Sequence, residues 1–409
     1  MRSLLHALPW SYLLIAVGLG TFATAESQQP LRMGASFSNT GVYAQLGQAV
    51  HRGHQLCVKH ANEKGEILGR KIELTAEDDQ SEPARAVAIY ERLIARDKVG
   101  AVFSPYGSPI TDAVASITEK HRMPLVSSSA ATTSIFKKGR KFIFMLTTPA
   151  EVLLEGFVDL AAKRGVKTIA VINEDSLLGR AAAQGTVELA RKRGLQVVLA
   201  EAYPKGTTEF SGILGRVKAA NPDVLAAVTY FEDAVVFTRQ LKEVNVDPKM
   251  FGGLASGPGQ PKFYELLGRS AEFVYSHATW EPELVTVRAG GLIPIARQYP
   301  GAREFIKAYR KEFPGADLSY DSARGYGECQ ILLEGIRRAG SLDGERIREA
   351  ILKMDLNTVF GAFKVDRDGF QIAHKTLIIQ WQDGKKVIVW PEELAAVKAR
   401  FPTPPWSQR

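Results

Sequence analysis

The sequence has no Gly-x-Ser-x-Gly elbow, no Gly-Lys-Ser/Thr phosphate loop, no Gly-x-Gly-x-x-Gly after a strand and no Cys-x-x-Cys pair. Each absence removes a familiar route to catalysis or nucleotide binding. A secreted hydrolase therefore ranks low, because no nucleophile and base can be paired. Long apolar runs are also scarce. The longest, Trp10 to Phe22, falls short of the roughly 20 residues that cross a bilayer, and nothing after it is as apolar. There is no low-complexity linker, which excludes domains on a flexible tether. Charge of one sign is thinly spread: the formal net charge is +8. The single dense cluster, Lys137-Lys138-Gly139-Arg140-Lys141, has no interleaved aromatics. It reads as a solvated turn, and no nucleic-acid partner is expected. Cysteines number two, Cys57 and Cys329. A bridge and two buried free thiols both fit, the thiols at least as well, since each lies in a helical stretch.

What is present begins with a leader. Arg2, the apolar run and then Ala23-Thr24-Ala25 have the order of an export signal with a small-x-small cleavage site. Residues 1–25 are expected to be removed, leaving a chain that starts at Glu26 in the periplasm. Residues 26–409 exceed what one hydrophobic core usually supports, so two domains are expected. Short β-rich runs alternate with helical periodicity: strands near 31–36, 71–76, 101–104 and 125–128, with helices near 45–64, 83–97 and 109–121. After Thr147-Thr148-Pro149 the rhythm restarts, with strands near 168–173, 196–202, 224–229 and 250–253. This βαβα order gives an α/β fold with parallel sheets. Residues 280–298 show no clear period and are expected to be a loop.

In such sheets, ligands sit beyond the carboxyl ends of the strands. Two of these ends run into polar loops, Ser104-Pro105-Tyr106-Gly107-Ser108-Pro109 and Ser127-Ser128-Ser129-Ala130-Ala131-Thr132-Thr133. Ser108 before Pro109 reads as a helix cap, and the loops together suit a carboxylate without any lysine or arginine. The competing account has these hydroxyls only satisfying loop backbone. His51 and His54 have a spacing that permits a metal pair, but with no third ligand nearby solvent-exposed histidines are expected, as for His60, and no metal or cofactor. Glu77-Asp78-Asp79 suits either a cation or the acidic end of a strand.

The segments LRMGASFSNTGVYAQLGQAVHRG, NEKGEILGRKIELTAEDDQSEPARAVAIYERLI, MPLVSSSAATT, AVINEDSLLGRA, NPDVLAAVTYFEDAVVFTRQ and FGAFKVDRDGFQ resemble the periplasmic leucine/isoleucine/valine-binding family, in that family's order. The resemblance implies a type I periplasmic-binding-protein fold, two Rossmann-like lobes joined by three crossover strands near 145–149, 274–279 and 356–363. Lobe I would comprise 26–147 with 279–357, and lobe II 148–278 with 358–409. It implies a monomeric, non-enzymatic receptor that closes over a small carboxylate-bearing ligand and delivers it to an ABC permease at the inner membrane; a sensory module of the same fold is the alternative. The family's ligand loops match Tyr106, Gly107 and Ser108, then Ala130, Ala131 and Thr132, with Tyr230 from the second lobe. Three positions depart from the family. Leu178 stands where it has a tyrosine, Leu254 where a glutamate would meet an α-ammonium, and Leu46 where it has an aromatic. These swaps turn the expectation toward a branched or aromatic acid, unless Asp175, Glu232 or Asp233 supplies the missing carboxylate.

Overall fold

The computed structural model describes residues 29–65, 67–254, 256–282, 299–374, 376–392, 394–395 and 397–409. The leader with its cleavage site, and residues 283–298 of the expected loop, lie outside the described residues. The chain opens with β1 (Leu31–Phe37), β2 (Ile72–Asp78) and β3 (Ala101–Val102), which form a parallel sheet in the order β2-β1-β3. β4 (Leu125–Ser127) and β5 (Ile143–Met145) pair in parallel beside it. The strand cores are apolar on both faces because helices cover both, as buried parallel sheets require. Met33, Ala35, Phe103, Val126 and Phe144 share one core with Trp280, Phe305, Ile331 and Phe360.

A second sheet is built from β6 (Thr168–Glu174), β7 (Gln196–Tyr203), β8 (Val224–Val228), β9 (Met250–Gly253) and β10 (Tyr275–Ala278), all parallel. Two short strands, β11 (Leu356–Thr358) and β12 (Gly361–Phe363), form an antiparallel hairpin elsewhere. Then β13 (Leu377–Gln382) and β14 (Lys385–Trp390) complete the second sheet beside β10, in the order β14-β13-β10-β9-β8-β6-β7. Its core includes Ile172, Leu225, Phe237, Phe251 and Trp381. The third crossover expected at 356–363 is thus a hairpin. Val359, Phe360, Phe363 and Val365 pack into the first core, and Gln371 Nε2 donates to the Leu146 carbonyl at 2.9 Å, so the chain reaches the second sheet only at Leu377. Among the described residues no helix is long and apolar enough to cross a membrane.

Helices Ala44–Lys64 and Tyr320–Ala339 pack against each other beneath the first sheet. Their approach is set by two glycines. A Cβ on Gly53 would lie 2.2 Å from the Ser322 carbonyl oxygen, and one on Gly325 would lie 2.2 Å from that of Val50. One turn further along each helix, Cys57 and Cys329 are joined by a disulfide, and the described residues hold no free cysteine. The two thiols that the sequence left open are therefore a bridge, because the glycine contact brings the two helices within disulfide reach.

Candidate functional site

A cavity lies between the two sheets, at the carboxyl ends of their strands. From the first sheet's loops come Tyr106, Gly107, Ser129, Ala131 and Thr147; from the second come Leu178, Tyr230, Leu254 and Ser256, with His277 on β10 itself. Leu153, Tyr320 and Arg324 complete the lining. Gly107 caps the helix Ser108–Lys120 with φ of +82°, a conformation open to glycine and strained for residues with a Cβ. Ser108 is thereby displaced from the expected cap to the first helical position. Leu178 is placed by the first turn of the helix Leu177–Lys192, whose cap Ser176 accepts from the Gly179 amide at 3.1 Å.

Six of the nine residues singled out in the sequence line this cavity: Tyr106, Gly107, Ala131, Leu178, Tyr230 and Leu254. Ser108, Ala130 and Thr132 are buried but do not line it. Thr132 Oγ1 donates to Ser108 Oγ at 3.0 Å, and the Ala130 amide donates to Ser127 Oγ at 3.0 Å. The hydroxyl cluster is mostly a buried network. Ser104 Oγ meets Ser128 Oγ at 3.2 Å, and Glu328 accepts from the Ser104 amide at 2.5 Å and from His54 Nε2 at 2.9 Å. It ties two strand ends to both packed helices and satisfies loop backbone. Of the five serines and threonines between Ser127 and Thr133, only Ser129 lines the cavity.

Sequence reasoning missed Tyr320 and Arg324. Arg324 is 4% exposed, and its guanidinium lies 4.6 Å from the Tyr320 ring centroid and 5.3 Å from that of Tyr106. One guanidinium nitrogen is hydrogen-bonded to Asp321, whose second oxygen accepts from Gln260 Nε2 at 2.9 Å. Arg324 Nε is buried without a hydrogen-bond partner. Gln260 follows β9 of the second sheet, so this bond crosses from one sheet's loop to a helix of the other core. Burial pushes the Asp321 carboxyl up, against the pull of Arg324 and Gln260. His277, fully enclosed, is pushed down to about 3, chiefly by burial and then by Arg324, so its imidazole is neutral. Among the described residues, the only full charge in the lining is that of Arg324.

The three substitute carboxylates do not reach the cavity lining. Asp175 pairs with Arg180 on the surface, Glu232 is exposed, and Asp233 accepts from Tyr203 Oη at 2.9 Å. Leu46 is buried in the core; the aromatic at that end of the molecule is Tyr43, 4.9 Å from the Tyr230 ring and 5.6 Å from Tyr106. The histidines are corrected too. His51 stacks on Phe37 at 4.0 Å and His54 on Phe103 at 4.3 Å, both buried rather than facing solvent, while His60 is half-buried against Tyr326 Oη. Burial, with His54 beside it, pushes His51 down to about 3. The acidic strand end is structural: Asp79 accepts from Ser36 and Ser38, Asp78 holds Asn39 and Thr40, and Glu77 pairs with Arg92. Among the described residues no group of three or more His, Cys, Asp and Glu is placed to hold a metal ion.

Comparison with known proteins places this geometry. The family model described as "Periplasmic binding protein" matches residues 30–386. The chain belongs to the periplasmic binding protein family. A curated relative, Leu/Ile/Val-binding protein homolog 7 of Brucella melitensis biotype 1, is 25% identical over 95% of this chain and 99% of its own length. Two solved structures share the fold. One is the branched-chain amino acid transporter substrate-binding protein LivJ of Streptococcus pneumoniae in complex with isoleucine, with TM-score 0.75, 22% identity, and coverage of 88% of this chain and 98% of that one. The other is an ABC transporter solute-binding protein of R. palustris in complex with benzoate, with TM-score 0.77, 18% identity, and coverage of 88% and 96%. The fold is the type I periplasmic-binding-protein fold, and the family is one of solute-binding proteins with an extracytoplasmic location.

One part of this periplasmic binding protein is expected to respond to pH. Glu174, at the end of β6, is buried beside Asp233 and near Lys205; burial first and then Asp233 push its carboxyl from 4.5 up to about 7. A raised acid binds its proton more tightly in the folded state. Its stabilising share is therefore full below about pH 4.5 and is lost as pH rises through about 7. Glu174→Gln is expected to flatten the fall in melting temperature between about pH 5 and 8, a difference of a few degrees by scanning calorimetry. An identical slope in both proteins would contradict the buried acid pair.

Proposed function

We propose that this chain is an exported, non-catalytic solute receptor that closes over a small carboxylate-bearing molecule and hands it to an ABC importer. The ligand classes compatible with the relatives are a branched-chain or related amino acid and an apolar or aromatic organic acid. The observation that carries the reading is the cavity itself, lined from the strand ends of both sheets and by a helix of the first core. Such a position, between two α/β halves, is where a hinge motion gathers contacts from both sides at once. The moving bodies would be residues 26–147 with 279–371 and residues 148–278 with 372–409, the second boundary shifted from the sequence expectation by the packing of Val359 to Val365. A monomer is sufficient for this motion.

A thermal-shift panel of amino acids and small organic acids tests the receptor. Only ligands that bind the native state stabilise it, by about 2.7 kcal/mol at a hundredfold excess over Kd. At least one panel member should raise the melting temperature by several degrees and be recovered chemically unchanged. No shift from any member, or conversion of the stabilising compound, would overturn the reading. Export is tested separately: the protein recovered from the periplasm should have Glu26 at its amino terminus, and a full-length chain retained in membranes would sink that proposal.

A further inference from the structure

We propose that Arg324 is the anchor for the ligand's carboxylate and that the site selects apolar or aromatic acids lacking an α-ammonium over the corresponding amino acids. The inference deepens the receptor reading above and rests on it. A guanidinium keeps its charge at any physiological pH and offers five N–H donors in a fixed plane. Here the guanidinium is held by the rings of Tyr320 and Tyr106, 4.6 and 5.3 Å from its carbon, and by a hydrogen bond from one nitrogen to Asp321. Nε is left buried without a partner in a residue that lines the cavity. An unfilled N–H donor on a buried cation is a strong site for an anion, which accepts a charge-assisted hydrogen bond there.

An ammonium meets no carboxylate among the described residues that line the cavity. Asp321 has one oxygen on Arg324 and the other on Gln260, and it is not part of the lining. Leu153, Leu178 and Leu254 line the same cavity, so a zwitterion's positive end would be buried without a counter-charge. The same leucines offer an apolar body the contact area that favours burial. Charge and shape point to one ligand class: a carboxylate at one end and hydrocarbon at the other.

Calorimetric titration with matched pairs tests this directly: 3-phenylpropionate against phenylalanine, and 4-methylpentanoate against leucine. Each acid is expected to bind at least about tenfold more tightly than its amino acid. The double variant Asp321→Asn/Arg324→Gln removes the charge without leaving a buried carboxylate unpaired. It should weaken acid binding roughly a hundredfold while its melting temperature stays within a few degrees. Arg324→Lys, which keeps a charge but loses the planar fork, should fall between. Equal or tighter binding of the amino acids, or acid binding unchanged in both variants, overturns the assignment and leaves the receptor standing. If neither series binds while another member of the broad panel does, the assignment alone falls. If nothing in that panel binds, both fall.

Discussion

Gly325→Ala is expected to lower the melting temperature by several degrees and to weaken ligand binding at least about tenfold. A methyl group at this position would lie 2.2 Å from the Val50 carbonyl oxygen, and 2.9 Å from its carbon. Backbone cannot rotate away as a side chain can, so helices Ala44–Lys64 and Tyr320–Ala339 must separate. Overpacking of this kind costs about 1–3 kcal/mol, more when two rigid elements are forced apart. The displaced helix carries Tyr320, Asp321 and Arg324, and their orientation would change with it. Gly53→Ala should act alike, because its added carbon would meet Ser322 O at 2.2 Å. Gly215 provides the control. It lies within the helix Ser211–Ala220 with nothing near its Cβ direction, so alanine there should be neutral or stabilising. Differential scanning calorimetry and ligand titration on the three proteins separate the outcomes. A melting temperature for Gly325→Ala equal to that of Gly215→Ala would contradict the close helix crossing.

The larger stability effect is expected from the bridge. Cys57 and Cys329 are separated by 272 residues, so the cross-link removes a very long loop from the unfolded ensemble. In the chain-entropy account that is worth about 3–5 kcal/mol, although part of the effect of any disulfide is enthalpic. Cys57→Ser/Cys329→Ser should therefore melt roughly 5–10 °C below the wild type, and reduction of the wild type should reproduce most of the loss. Because the bridge joins the helix of the ligand-side arginine to its glycine partner, affinity should fall as well, by less than in Gly325→Ala. An unchanged melting temperature on reduction would show that the helix contact alone holds the two segments.

Much of the fold was legible because its signals are local. The strands at 31–37, 168–174 and 224–228 are short apolar runs between amphipathic stretches, and periodicity exposes both. The loops at the strand ends were legible for the same reason, and they bring Tyr106, Gly107, Ala131 and Tyr230 to the cavity. What escaped was non-local. Nothing within residues 356–363 shows that Phe360 and Phe363 belong to the first core, and nothing in β13 shows that it pairs antiparallel with β10. The hydroxyl cluster was ambiguous for a physical reason: a serine serves equally as ligand contact or as backbone partner, and Glu328, 224 residues from Ser104, decides the matter. Arg324 shows the limit most clearly. An Asp and an Arg three apart on a helix ordinarily read as an exposed pair, and here both are buried. The available signal was the company they keep, since Gly325, Gly327 and Cys329 follow them on the same helix.

Mass spectrometry of the small molecule released by denaturing protein purified from the periplasm tests the central claim most directly. Among the described residues, Arg324 is the one charge in a cavity otherwise walled mostly by leucines, tyrosines and neutral polar groups. The released compound should therefore be a monocarboxylic acid with an apolar or aromatic body and no primary amine, at one molecule per chain. Recovery of leucine, isoleucine, valine or any other α-amino acid in that stoichiometry would contradict it.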